Sequence, residues 1–186
     1  MKRVIKIRVL LLCCVCWNLL FADDSREGFF ASIAIGKHET EAKEKGNTLL
    51  TIKGTTTSIH AGYGLSNTVQ LYFARETNWI SPEYTSYTFS DNLDALGVVA
   101  FCGEYIYVKG AIGTSKTYPI AIPKDISTGK GYLLGFGYEF SNNIALEANL
   151  LELRWSEAIR DKNKIDISEL EALNRSLRFL FRYSFY

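Results

Sequence analysis

The chain has 186 residues, a formal net charge of +1 and a mean hydropathy close to zero. That length suits one domain. The charge is too balanced for a polybasic nucleic-acid binder. Beyond the N-terminal segment no apolar run reaches the ~18 residues a spanning helix needs, which argues against a helical membrane protein. A transmembrane barrel stays open, because it spreads its apolar residues over one face of each strand.

The N-terminus reads as a signal for export. Lys2, Arg3, Lys6 and Arg8 form a basic start, Val9 to Phe21 is apolar, and Ala22 offers a small residue for cleavage before Asp23, Asp24 and Ser25. Such a segment is a secretory signal peptide rather than a spanning helix. The expected division is 1–22 as a cleaved signal peptide and 23–186 as the mature domain. Cys13, Cys14 and Cys16 follow Leu12, Cys13 and Val15, not the small residue that lipid modification usually needs. After cleavage Cys102 is the one cysteine left, which excludes an internal disulfide and a cysteine-rich metal site. Losing the four basic residues leaves the mature chain mildly acidic, near −3.

The mature chain alternates with period two. Phe29, Ala31, Ile33 and Ile35 share one face. Ile59, Ala61, Tyr63 and Leu65 oppose Ser58, His60, Gly62 and Gly64. Val69, Leu71 and Phe73 alternate with Gln70, Tyr72 and Ala74. Further on, Ile106, Val108 and Ile112 oppose Tyr107, Lys109 and Gly113; Leu134, Phe136, Tyr138 and Phe140 oppose Gly135, Gly137 and Glu139; and Ile144, Leu146, Ala148 and Leu150 oppose Ala145, Glu147 and Asn149. This is the signature of strands with two unlike faces. Leu93 to Phe101 also reads as a strand, but it is apolar at nearly every position and its faces stay unassigned.

Three tight polar breaks, at 65–68, 101–104 and 140–143, recur at nearly even spacing. Four longer polar connections alternate with them: Lys37 to Lys53, Glu76 to Asn92, Thr114 to Lys130 and Glu152 to Asn174. Within the last, Ser156 to Leu173 mixes helical and strand spacing, and a loop with a helical turn or an extended strand top fits it equally. Short turns at one end and long connections at the other predict an eight-stranded antiparallel up-and-down barrel, with strands of about ten residues crossing a bilayer. The apolar face then meets lipid, and the small and charged face fills a narrow lumen.

The last strand is the most specific motif. Leu177, Phe179, Phe181, Tyr183 and Phe185 alternate with Arg178, Leu180, Arg182 and Ser184 up to the C-terminus. This resembles the C-terminal insertion signal of small eight-stranded Gram-negative outer-membrane barrel proteins, the group of the OmpA membrane domain, OmpX and the opacity-type surface proteins. In that group the pattern ends on its final aromatic; here Tyr186 follows as an overhang. The resemblance implies residence in the outer membrane as a monomer, with outer-membrane lipid and lipopolysaccharide around it, the barrel assembly machinery as a partner during insertion, and a host or surface ligand at the loops.

Parity places His60, Lys109, Glu139, Glu147, Arg178 and Arg182 in the lumen. Charges in so narrow a space must pair, so a stacked plug is expected, with a narrow gated channel as its alternative. An outer-membrane lipid-modifying enzyme of the lipid A deacylase kind is the enzymatic alternative. It would use His60 with Ser58, since a nucleophile needs a base within hydrogen-bond reach. The principal expectation is non-enzymatic, with no cofactor and no metal. Trp79, Tyr84, Tyr87 and Phe89 are the candidate contact residues of the second connection, or part of an interfacial aromatic girdle. The pairs Gly62–Gly64 and Gly135–Gly137 lie within strands and lack the helix a nucleotide loop requires.

Overall fold

The computed structural model describes residues 26–81, 89–119, 126–141, 143–160 and 163–186. The signal-peptide segment, Tyr84 and Tyr87 fall outside these. Nine strands make one sheet: β1 Gly28–Glu44, β2 Asn47–Ser66, β3 Val69–Ile80, β4 Phe89–Phe101, β5 Ile106–Pro119, β6 Ile126–Ser141, β7 Ile144–Arg160, β8 Asn163–Asp166 and β9 Leu173–Phe185. Each of β1 to β7 pairs antiparallel with the next, and β9 closes the ring by pairing with both β7 and β1. The closing ladder runs from Ala31 opposite Phe185 to Lys43 opposite Leu173. Eight strands therefore form the barrel. Closure leaves no unpaired edge along the shared length of the strands. The short β8 stands outside the ring and pairs only with the top of β7.

The apolar alternation emerges as two faces. Phe29, Ile59, Leu96, Ile112, Leu134 and Phe179 are among the large side chains exposed on the outside. Leu177, Phe179 and Phe181 also face outward, with Tyr183 and Phe185 half-buried on the same side, while Ser176, Arg178, Leu180, Arg182 and Ser184 point in.

The strand with unassigned faces now has them. Leu93, Ala95, Val99 and Phe101 are buried inside, and Leu96 and Val98 are exposed. Both faces are apolar because the inner wall at this side is itself apolar: Leu93, Leu133, Leu151 and Leu153 form a buried cluster with Ala95 and Ala111. The lumen lining is thus mixed: the leucines stand on β4, β6 and β7, while Lys109, Glu139 and Glu147 line β5, β6 and β7 nearer the short turns.

Aromatic rings fill the narrow lumen, and glycines make room for them. A β-carbon on Gly62 would collide with the Phe30 ring, one on Gly97 with the Tyr72 ring, and one on Gly137 with the Tyr107 ring. An interior close-packed to this degree leaves no slack for a methyl group.

The long polar connections are largely continued strand. β1 and β2 run through the Lys37 to Lys53 segment and turn on two residues, Lys45 and Gly46, with φ of 49° and 80°. Left-handed conformations at both central residues define the tight hairpin turn whose twist matches its strands. The Ser156 to Leu173 segment resolves mainly as strand top, since β7 continues to Arg160 and β8 returns along it. A single 3-10 turn follows at Ser168–Leu170. The Ser168 backbone N–H donates to Asp166 at 2.9 Å and holds that carboxyl below its ordinary pKa. No helix among the described residues is long and apolar enough to cross a membrane.

The charged lumen as candidate functional site

Every residue that parity assigned to the lumen is buried there: His60, Lys109, Glu139, Glu147, Arg178 and Arg182. They arrive on β2, β5, β6, β7 and β9, so only closure of the barrel brings them together. Near the short-turn end, Arg182 Nη2 reaches Glu139 at 3.2 Å while its Nε lies 3.2 Å from Glu147. Its guanidinium also sits 4.7 Å from the centre of the Tyr107 ring. Glu147 is the most shared acceptor. Lys109 Nζ donates to it at 2.5 Å, the Tyr107 hydroxyl at 2.7 Å and the Asn149 amide at 3.0 Å.

Higher in the barrel a second cluster centres on Glu76. Arg178 Nη2 lies 2.8 Å from one carboxylate oxygen, and His60 Nε2 lies 2.8 Å from the other. Ser58 also donates to Glu76, and Arg178 reaches the Thr56 hydroxyl and, at 3.3 Å, that of Ser58. Glu76 was not among the expected lumen residues. It belongs to the second polar connection as the sequence reads, yet β3 continues to Ile80 and carries Tyr72, Ala74, Glu76 and Asn78 inward. Parity gives no contrast at Arg75-Glu76-Thr77-Asn78, and Trp79 on the outward face is the one apolar cue that the strand continues.

Arg26 is the other missed participant. It precedes β1, so no strand pattern announces it. Its guanidinium lies 2.9 Å from Glu139 and 4.0 Å from the centre of the Phe101 ring, capping the lumen at the short-turn end. Tyr186, the overhanging residue, sits at the same end. It is half-buried, its hydroxyl accepts from Gln70 at 3.4 Å, and its ring lies 6.0 Å from that of Phe30.

A third, neutral chain crosses the far end of the lumen. His38 Nε2 donates to the Trp79 carbonyl at 3.2 Å, which leaves Nδ1 to accept from Thr40 at 2.8 Å. Thr40 accepts in turn from Ser176 at 2.6 Å, and Ser176 from the Asn78 amide at 3.0 Å. His38 therefore lines the lumen from a strand rather than hanging in a loop.

Ser58 and His60 do share a face, but each bonds to Glu76 rather than to the other. The Ser58 proton is directed at a carboxylate, and both side chains are only 2% exposed. His60, the base that the enzymatic alternative would use, is turned to Glu76 and makes no hydrogen bond to the Ser58 hydroxyl. No metal-binding group of His, Cys, Asp or Glu occurs among the described residues. Of the aromatic contact candidates, Trp79 is exposed on the outer face, with its Nε1 donating to Thr57 at 3.3 Å, and Phe89 is half-buried at the start of β4.

No protein-family model and no curated protein sequence matches the chain. Solved structures do. Ail, the attachment invasion locus protein of Yersinia pestis, superposes with a TM-score of 0.56 at 18% identity, over 86% of this chain and 99% of that one. Neisserial surface protein A gives 0.57 at 17% identity, over 84% and 99%. The fold is that of the small outer-membrane barrels. OprG of Pseudomonas aeruginosa is similar more distantly, with a TM-score of 0.50 at 9% identity over 88% of this chain. At such identities the likeness is one of fold, and the lumen network of this barrel rests on its own residues.

Proposed function

We propose that the mature chain is a non-enzymatic barrel of the Gram-negative outer membrane, exported by cleavage of residues 1–22, whose lumen is a plug and whose role is exercised at the surface. The observation that carries this reading is the contrast between the two faces. Large apolar side chains stand exposed around the outside, while buried, mutually paired charges block the inside. A soluble sheet would not leave so much contiguous apolar surface open to water. A conducting pore would not spend its cross-section on rings packed against glycine and on a carboxylate shared by three donors.

The strands that extend beyond the apolar band support the surface role. β2, β1, the start of β9, β7 and β8 run on beyond that band as one continuous stretch of sheet, largely polar but with Leu49 and Leu50 exposed near the β1–β2 turn. A structurally similar protein, Ail, is named for attachment and invasion, which agrees with a contact role for this stretch. The test is recovery of the protein from cells. It is expected in outer-membrane fractions, with migration on a denaturing gel that shifts on heating, and with no stable conductance in planar bilayers. A soluble periplasmic product would contradict residence in the membrane, and steady single-channel currents would contradict the plug.

A further inference from the structure

The outward face just beyond the apolar band carries a belt of charged side chains, and most of its cations are neutralised in place. Lys43 lies 2.7 Å from Glu41, Lys53 lies 3.7 Å from Glu39, and Arg75 grips Asp94 at 2.7 Å. Lys37 on β1 stands singly, with the Thr55 hydroxyl at 3.4 Å, whereas the sector formed by β5, β6 and β7 gathers several cations. Lys116 and Lys130 are exposed and make no close ion pair among the described residues, although Lys116 stands diagonal to Asp94 and acts on its carboxylate. Arg154 does bind Glu152, at 2.9 Å, but Arg175 holds the same carboxylate at 2.7 Å. Counting Asp94, which Arg75 already holds, five cations (Arg75, Lys116, Lys130, Arg154 and Arg175) share two carboxylates, Asp94 and Glu152.

The register sets these groups side by side. Thr114, Lys130 and Arg154 are direct cross-strand neighbours, and Lys116, opposite Thr128, is diagonal to Lys130. Side chains so placed stand within reach of one another. One step closer to the band come Tyr132 and Ile112, which also pair, and then Leu134; Ile112 is 73% exposed. Lys130, Arg154, Tyr132 and Ile112 line an open concavity of 710 Å³. Like charges crowded on one patch repel, so the arrangement costs free energy unless an anion joins it. Its neighbour on one side is hydrocarbon and on the other is water.

We infer that this sector is a binding site for the phosphorylated headgroup of an outer-leaflet glycolipid. Lys116, Lys130 and Arg154 meet the phosphate, the Thr114 hydroxyl lies within the same concavity, and the acyl chains run down over Ile112 and Leu134. The inference rests on the membrane reading proposed above. It commits to an amphiphile because the cations sit directly above an exposed apolar surface, where a free phosphate would leave that surface uncovered.

The full mature chain folded in phosphatidylcholine nanodiscs is titrated with bisphosphorylated lipid A and with dephosphorylated lipid A. Wild type is expected to prefer the phosphorylated form by at least tenfold, with affinity falling as salt rises. Lys116→Gln and Lys130→Gln are each expected to weaken it about fivefold, roughly 1 kcal/mol per cation at a charged membrane surface. Lys53→Gln, on the opposite side of the belt, is expected to change it less than twofold. Equal affinity for the two lipids, or an equal loss with Lys53→Gln, overturns the site. Failure of wild type to form a heat-modifiable barrel in the same nanodiscs, seen before any lipid A is added, overturns the membrane reading and the site with it.

Discussion

Arg178 and Glu76 meet at 2.8 Å inside the barrel, though one arrives on the last strand and the other on the third. Neither strand is a neighbour of the other in the sheet, so the pair forms only across a closed lumen. It is a report on closure as well as a local bond. Removing one partner of such a buried pair leaves an uncompensated charge. Glu76→Ala is therefore expected to destabilise the folded barrel by about 3–5 kcal/mol in urea titrations in lipid vesicles. Replacing both, as Glu76→Leu with Arg178→Met, is expected to recover most of that loss. A single variant with unchanged stability would show that the pair does not form.

Packing of ring on glycine gives a second expectation. The Tyr107 ring is fixed over Gly137 by its hydroxyl bond to Glu147 at 2.7 Å, so it cannot swing aside freely. Gly137→Ala is expected to cost about 1–3 kcal/mol by overpacking. Adding Tyr107→Ala to Gly137→Ala should relieve the clash while losing the hydroxyl bond. A double-mutant cycle read from unfolding midpoints in vesicles checks the coupling, and independence of the two substitutions would contradict the contact.

Much of this architecture was legible before folding. Strands whose outer face is apolar declared themselves by parity, and the inward positions of Arg178, Arg182, Glu139, Glu147, Lys109 and His60 followed from it. Where both faces are polar the same rule goes silent. The run from Lys37 to Glu44 continues β1 beyond the apolar band, where neither side of the strand needs hydrocarbon contact, so it read as a loop. Glu76 is hidden for the same reason: the outward residues near it, Arg75 and Thr77, are polar, so no alternation marks the strand there. At Leu93 to Phe101 the failure was opposite, because both lipid and the inner leucine cluster demand apolar side chains.

The outward face should tolerate charge according to depth. Leu134→Arg, within the apolar band, is expected to destabilise the barrel in lipid by about 2–4 kcal/mol, while Thr51→Arg on the projecting β1–β2 hairpin should change stability by less than about 1 kcal/mol. Both residues are exposed, so in detergent-free water the two substitutions would be equivalent. Comparison of unfolding free energies in vesicles distinguishes them, and equal small effects would argue against a lipid-facing band.

The C-terminus supports a fourth prediction. Phe185 is the last residue of the ladder, opposite Ala31, whereas Tyr186 turns to Gln70 and Phe30 at the mouth of the lumen. Deleting Tyr186 is expected to leave assembly into the outer membrane near wild-type yield. Deleting Phe185 and Tyr186 together should reduce it several-fold. Pulse-chase recovery of the heat-modifiable form measures this, and an equal defect in both deletions would make Tyr186 part of the insertion signal.

A barrel set in the outer membrane as proposed holds its short turns inside and its β1–β2 hairpin outside. Cys102 lies exposed on a short turn and serves as a native reporter. A membrane-impermeant maleimide applied to intact cells is predicted to leave wild-type Cys102 unlabelled until the outer membrane is permeabilised. The same reagent should label Thr51→Cys, in a Cys102→Ser background, without permeabilisation. Labelling of Cys102 in intact cells, or protection of Thr51→Cys, would contradict the account.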